Sequence, residues 1–231
     1  MLVHSPLVGP TTWEAVACEL RRRGHEVLVP ELTGSLTGGP PYFPKQVHTI
    51  TRSAAGRQVV LVGHSGAGSL LAPAGVALGG VAGYMFVDAG LPSPGQSWLQ
   101  TARAELGEQL RTMATDGWLP PWPSWWGEDG LADLLRDPAV RERFASDCSR
   151  LPVAMFAELE PPAPGWPDAP CAYLRLSEAY SEPAERAKVL GWPVTDLASH
   201  HLAMLSDPGQ VADSLLDLVR QLRRDAPPGA R

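Results

Sequence analysis

The chain has 231 residues, 44% of them hydrophobic and 19% charged, with a formal net charge of -6. That length supports one large domain with a sizeable core, and the acidic balance argues against nucleic acid or an anionic membrane surface as the main partner, since both attract a basic face. The cysteines Cys18, Cys148 and Cys171 are odd in number and far apart; they fit a reducing, cytoplasmic compartment, and with no CxxC pair no metal is expected.

No apolar run approaches the roughly 20 residues of a membrane span. Met1-Leu2-Val3-His4 lacks the basic start and long apolar stretch of a secretory leader. Leu2-Val3 reads as the stub of an apolar strand that runs into a loop, residues 4–10. Thr11 or Thr12 is placed to N-cap the helix that follows, with Glu14 in its first turn. Trp13, Val16, Ala17 and Leu20 recur at the spacing of one apolar helix face, and Arg21-Arg22-Arg23-Gly24 supplies the cations and the glycine of a helix stop. Residues 25–30 read as a short strand, 33–45 as a loop rich in Gly, Pro and Thr, and about 45–55 as a helix. The glycines of 34–39 lack the Gly-Lys-Ser/Thr ending and the strand context of a nucleotide loop.

Val59-Val60-Leu61-Val62 is the continuous β-branched run of a buried parallel strand. It passes through Gly63-His64-Ser65-Gly66-Ala67-Gly68 into an apolar helix over 69–78, and residues 84–88 form another buried strand. This alternation predicts an α/β fold, a mostly parallel sheet flanked by helices. From about Leu91 to Asp168 the rhythm breaks. Six of the eight tryptophans fall there, Trp98, Trp118, Trp122, Trp125, Trp126 and Trp166, and the stretch reads as a helical, Trp/Pro-rich cap inserted after the strand ending at Asp88. The rhythm resumes with a strand at 171–176, a helix at about 182–190, a short strand at 193–195 and, beyond the loop 198–201, an amphipathic helix at about 208–223. The expected division is a core of 1–90 and 169–231 with a cap of 91–168.

Gly63-His64-Ser65-Gly66-Ala67 fits G-x-S-x-G with alanine last. Its meaning comes from context, because it lies between a buried strand and a helix. A sharp turn there lifts the serine hydroxyl above the sheet and needs small neighbours, and it sets the Gly66 N–H at a helix N-terminus, aimed at a developing oxyanion. A serine hydroxyl is a poor nucleophile until a base takes its proton. That base is sought in the loop after the last strand, where His200 and His201 stand; His201 is preferred. His4, His25 and His48 have weaker claims. His64 faces elsewhere on the turn, and His4 shapes the loop after its strand.

Together these features resemble the α/β-hydrolase family, and within it the small esterase and hydroxynitrile-lyase-like group. The resemblance spans nearly the whole chain. It is carried by His4-Ser5 after a strand, Trp13 in the next helix, the elbow at 63–67, Phe86-Val87-Asp88-Ala89, the inserted segment, and His201 before Leu202-Ala203-Met204 and Asp207-Pro208. It implies the order nucleophile, acid, histidine. Relatives usually have more strand before the position of His4 and often two further strands, so the sheet is expected to be reduced at that edge or the start to be mis-set. The family's usual place for the acid is the loop after the 171–176 strand. Glu178 falls near it and is preferred; Tyr180 stands where some relatives carry Asp. Asp88 is the alternative, because some members draw the acid from that strand, and Asp196 is more remote. The second oxyanion N–H of the family comes from the residue two after the loop histidine, which here is Pro6 and has none. Losing one such donor typically costs about 2.7–4 kcal/mol, so the Leu7 N–H or the Ser5 hydroxyl is expected to stand in beside Gly66. Hydroxynitrile-lyase-like members carry a hydroxyl residue at the position of Ser5 that contacts the substrate oxygen, which keeps a non-hydrolytic reaction open.

The resulting expectation is a cofactor-free serine hydrolase of a small ester, thioester or lactone. The alternatives are a lyase or cyclase using the same Ser-His pair as a proton shuttle, and a hydrolase-fold ligand-binding protein. Pro6, His64, Trp118, Trp122, Trp125 and Trp126 are the expected pocket residues. The expected partner is a small-molecule substrate, and a homodimer is compatible with the sequence.

Overall fold

In the computed structural model, which describes residues 1–102 and 104–225, strand β1 (Leu2–Val3) leads to helices α1 (Thr11–Arg22) and α2 (Phe43–Ala54), then to β2 (Val60–His64), α3 (Gly68–Leu78) and β3 (Gly83–Val87). A long excursion follows, with α4 (Trp98–Thr101), α5 (Ala104–Met113), β4 (Trp118–Leu119), α6 (Gly127–Leu134), α7 (Pro138–Ser146) and β5 (Leu151–Pro152). The chain then returns through β6 (Cys171–Arg175), α8 (Ser181–Val189), β7 (Val194–Asp196), α9 (Ala203–Ser206) and α10 (Pro208–Asp225). Five strands form one parallel sheet in the order β1-β2-β3-β6-β7, while β4 and β5 pair antiparallel in a separate ribbon inside the excursion.

The strands are apolar on both faces, so both faces are covered. Leu61, Tyr84, Phe86 and Tyr173 pack among Ile50, Leu70, Leu71 and Ala184 of α2, α3 and α8. Val62, Met85, Val87 and Leu174 alternate with them and face Trp13, Val16, Ala17 and Val211 of α1 and α10. Because the strands are parallel, their C-terminal ends share one edge of the sheet. Ser65, Asp88 and Ser177 follow three of those ends, and the loop after β7 brings His201 to the same edge.

Residues 25–30 do not form the expected strand. β1 spans two residues and offers little ladder to extend; the segment supplies the Leu28 carbonyl, which accepts from the Leu2 N–H at 2.8 Å, and buries Val27. Pro30 has no N–H with which to continue the pairing. Neither threonine caps α1. Its N-cap is Pro10, Thr12 Oγ1 donates to the Gly9 carbonyl at 2.8 Å, and the Thr11 N–H donates at 2.8 Å to Asp147 beyond α7. Helix α2 starts at Phe43, earlier than expected, with a proline in its first turn. The Tyr42 and Phe43 N–H groups donate to the Glu158 carboxylate at 2.6 and 3.1 Å. Two helix starts of the core are thus satisfied by carboxylates of the excursion.

The excursion also packs on the core. Leu131, Leu135, Phe144 and Cys148 cluster with Val8 and Leu202, and Leu110, Leu119, Leu151 and Phe156 with Leu36 and Tyr42. Among the described residues, no helix is long and apolar enough to cross a membrane.

Candidate active site

β2 ends in the turn that carries Ser65, whose φ is +55°. That left-handed value costs a non-glycine residue about 1–2 kcal/mol, so the surroundings must hold it. A Cβ on Gly68 would stand 1.9 Å from the Gly90 carbonyl oxygen, and one on Gly66 would stand 2.9 Å from Ser5 Oγ. The close approach of the backbone after β3 therefore demands glycine at position 68, and the Ser5 side chain crowds position 66.

β3 ends at Asp88, which also has a left-handed φ of +42° and is 0% exposed. Its Oδ1 accepts the N–H groups of Leu176 at 2.7 Å and Ser177 at 3.0 Å. Its Oδ2 accepts the Ser177 hydroxyl at 2.5 Å and His201 Nδ1–H at 2.9 Å. Burial pushes the carboxyl up, but the bonds from His201, Ser177 and Leu176 outweigh it and bring Asp88 below the ordinary carboxylate value. An ionised carboxylate on Nδ1 selects the tautomer that leaves Nε2 free to accept a proton.

Glu178, the acid preferred from the sequence, does not reach His201. Its side chain is 90% exposed, and it accepts from Arg175 Nη1 at 3.0 Å and from Ser181 Oγ at 2.9 Å. Asp196 is engaged by the same arginine, whose Nε donates to it at 2.6 Å. The chain leaving β6 folds its 176–177 backbone over Asp88, and Glu178 lies beyond that crossing on the solvent side.

Asp88 meets His201 and not His200, whose Nε2 is 2.9 Å from Ser206 Oγ and whose Nδ1 accepts the Leu202 N–H at 3.3 Å. The His201 ring is enclosed by aromatics. Tyr180 stacks on it at 4.9 Å with 4° between planes, His64 tilts against it at 4.5 Å, and Trp122 lies 6.3 Å away, all between ring centroids. Ser65 Oγ is hydrogen-bonded to Tyr180 Oη at 3.2 Å, and no hydrogen bond joins Ser65 to His201 among the described residues.

On the β1 side of Ser65, the Leu7 N–H donates to Ser5 Oγ at 3.2 Å. One expected oxyanion donor is therefore bonded to the other, and the Ser5 hydroxyl keeps its own proton to give. Pro6 is buried between them. His4 braces this loop: Nδ1–H donates to the Ser5 carbonyl at 2.8 Å and Nε2 accepts the Leu32 N–H at 3.1 Å. Burial holds His4 below the ordinary histidine value, which suits this neutral role.

His64 does not line a pocket. It is 1% exposed, its Nε2–H donates to the His201 carbonyl at 3.0 Å, and Trp13 meets its edge at 6.0 Å. Burial, then the neighbouring His201, holds it well below the ordinary value, and its Nδ1 has no partner among the described residues. The four tryptophans expected in the pocket do not act as one cluster. Trp122 is the one that meets His201. Trp125 donates Nε1–H to the Pro120 carbonyl at 2.9 Å and packs on Phe156. Trp126 is 56% exposed against Trp122, and Trp118 sits in the β4-β5 ribbon beneath Arg150. The run 122–126 forms a 3-10 turn.

Ser177 has no local mark in the sequence as a site residue. Tyr180 has one, its place where some relatives carry Asp. Among the described residues, no group of three or more His, Cys, Asp or Glu side chains could hold a metal ion.

A model of the alpha/beta hydrolase family matches residues 1–214. No curated protein matches the chain in sequence. Similar solved structures include an extracellular alpha/beta-hydrolase from a Paenibacillus species, 20% identical over 94% of this chain and 97% of that one, with a TM-score of 0.74. A pyrethroid hydrolase from Sphingobium faniae is 19% identical over 95% and 96%, with a TM-score of 0.72. Tomato methylketone synthase I is 16% identical over 96% and 97%, with a TM-score of 0.65. Identities this low speak to fold and leave the reaction open. With a parallel sheet, a strained serine between strand and helix, and a family model spanning most of its length, the chain belongs to the alpha/beta hydrolase family.

Proposed function

We propose that the chain is a cofactor-free serine hydrolase of a small carboxylic ester, thioester or lactone, with Ser65 as nucleophile, His201 as general base and Asp88 as the acid that orients it. The observation that carries this reading is the 2.9 Å bond from His201 to the fully buried Asp88, on the same sheet edge as the strained Ser65. In the reaction, Ser65 Oγ attacks the carbonyl carbon as His201 Nε2 takes its proton. The Gly66 N–H and the Ser5 hydroxyl support the oxyanion. Collapse breaks the bond to the leaving group, which receives the proton from His201, and water then repeats the steps on the acyl-enzyme. Serine–histidine contacts are often loose in a ligand-free site and tighten when substrate arrives. Residues 91–168 act as the cap, with Trp122 as a wall beside His201. Free cysteines, two of them buried, support a reducing cytoplasmic setting.

A fluorophosphonate probe tests the reading. Wild type should be labelled on Ser65 and Ser65→Ala should not; folded wild type that stays unlabelled overturns it. A second reading, a lyase or cyclase in which Ser65 and His201 only shuttle a proton, is favoured by Pro6 and by the engagement of the Leu7 N–H with Ser5. Mass spectrometry during turnover separates the two, since a trapped acyl-enzyme on Ser65 excludes the second.

A further inference from the structure

Tyr180 closes the 3-10 turn Glu178–Tyr180 after β6. Its phenol oxygen lies 3.2 Å from Ser65 Oγ, and its ring lies flat on His201. The turn is anchored: Arg175 Nη1 donates to Glu178 and to Ser181 Oγ, both at 3.0 Å, while its Nε holds Asp196. The phenol thus touches the oxygen that would react, from a fixed direction.

Sheet order gives that direction. Gly66 abuts Ser5, Pro6 and Leu7 on the β1 side of Ser65, whereas Tyr180 arrives from the β6 side, across β3. A tetrahedral centre on Ser65 Oγ that turns its oxyanion toward Gly66 directs its other substituents away from β1. Those substituents are one bond angle from Oγ, so a donor already at hydrogen-bond distance from Oγ on that side can reach one of them.

We propose that Tyr180 is a catalytic residue of this site that donates its O–H to the leaving-group oxygen, fitting the enzyme to alkyl esters, whose alkoxides leave poorly. The proposal rests on the serine-hydrolase reading above. In the ligand-free site the phenol engages the Ser65 hydroxyl; when substrate binds, the Ser65 proton passes to His201 Nε2 and Tyr180 is released to the substrate. As the intermediate collapses, the electron pair of the breaking C–O bond goes to the leaving oxygen, which takes the proton from Nε2. Tyr180 keeps its own proton and stabilises the charge until that transfer is complete. The alcohol departs and the acyl group stays on Ser65. Burial raises the phenol above its ordinary value, Ser65 draws it down and Asp88 raises it, so it remains a donor at neutral pH.

Tyr180→Phe keeps the stacked ring and removes the hydroxyl. The readout is kcat/KM for acetate esters of p-nitrophenol, phenol, trifluoroethanol and ethanol, with fluorophosphonate labelling and the thermal midpoint measured alongside. The expected loss is under about threefold for p-nitrophenyl acetate, whose leaving group needs no help, and grows to about 10–100-fold for ethyl acetate at an unchanged midpoint. A loss of equal size across the series, or a gain in rate, overturns the proposal. So does a wild type that is labelled but hydrolyses none of the esters. Wild type that is neither labelled nor active would bring down the serine-hydrolase reading itself; labelled, active wild type with a flat Tyr180→Phe series would bring down Tyr180 alone.

Discussion

The ends of β3 and β6 lie side by side and each carries a carboxylate, yet their surroundings are opposite. Asp88 is 0% exposed and accepts four hydrogen bonds, one of them from His201. Glu178 is 90% exposed and pairs with Arg175 and Ser181. The parallel register sets Val87 opposite Leu174, so the chain leaving β6 crosses the end of β3 and turns the N–H groups of Leu176 and Ser177 onto Asp88. A carboxylate fixed by such donors can hold an imidazole in one tautomer, whereas one in water is screened and free to rotate. Proximity in sequence to the place where an acid is expected counts for less than burial against donors.

Three substitutions can break or sharpen this contrast. Asp88→Asn should have the largest effect, a fall in kcat for p-nitrophenyl acetate of about 10⁴-fold, because the amide favours the wrong tautomer of His201. Near-normal steady-state turnover by this variant would erase the distinction between the two strand ends. Ser177→Ala removes the 2.5 Å bond to Asp88 Oδ2 and should lower kcat by about tenfold. It should also act on stability. A carboxyl held below its unfolded value contributes stability that is present above the ordinary carboxylate range and is lost as pH falls through the folded value. Without the Ser177 hydroxyl the folded value rises toward the unfolded one, so the loss is smaller and is complete at a higher pH. Urea midpoints measured between about pH 3 and pH 7, the range where a carboxyl titrates, should show that upward displacement; superimposable curves would mean that the hydroxyl does not hold the carboxylate down. Glu178→Gln should do least, changing kcat by less than about twofold and leaving the thermal midpoint in place, as for other exposed pairs. A loss approaching that of Asp88→Asn would return Glu178 to the role of acid.

What is legible in the sequence is what depends on neighbours along the chain. The run Val59–Val62, the small residues at 63, 66, 67 and 68, and the apolar helix after them specify a strand, a bend and a helix locally, and the structure has β2, the Ser65 turn and α3 there. The 25–30 segment is missed as a strand because pairing depends on how much of β1 is available. The start of α1 is missed because its donor is satisfied by Asp147, far along the chain. The tryptophans of 118–126 share a composition but not their neighbours, since Trp118 stands in β4, Trp122 faces His201 and Trp125 packs on Phe156.

Periodicity and turn chemistry, which act over a few residues, determined the α/β alternation, the strained bend at Ser65 and the histidine loop after the last strand. The tertiary structure alone decided which carboxylate faces His201, that His201 and not His200 receives it, and that a phenol from the β6 loop rests on Ser65. Each of those outcomes depends on strands being brought side by side and on a group being dried and surrounded by donors, and no stretch of contiguous residues encodes that condition.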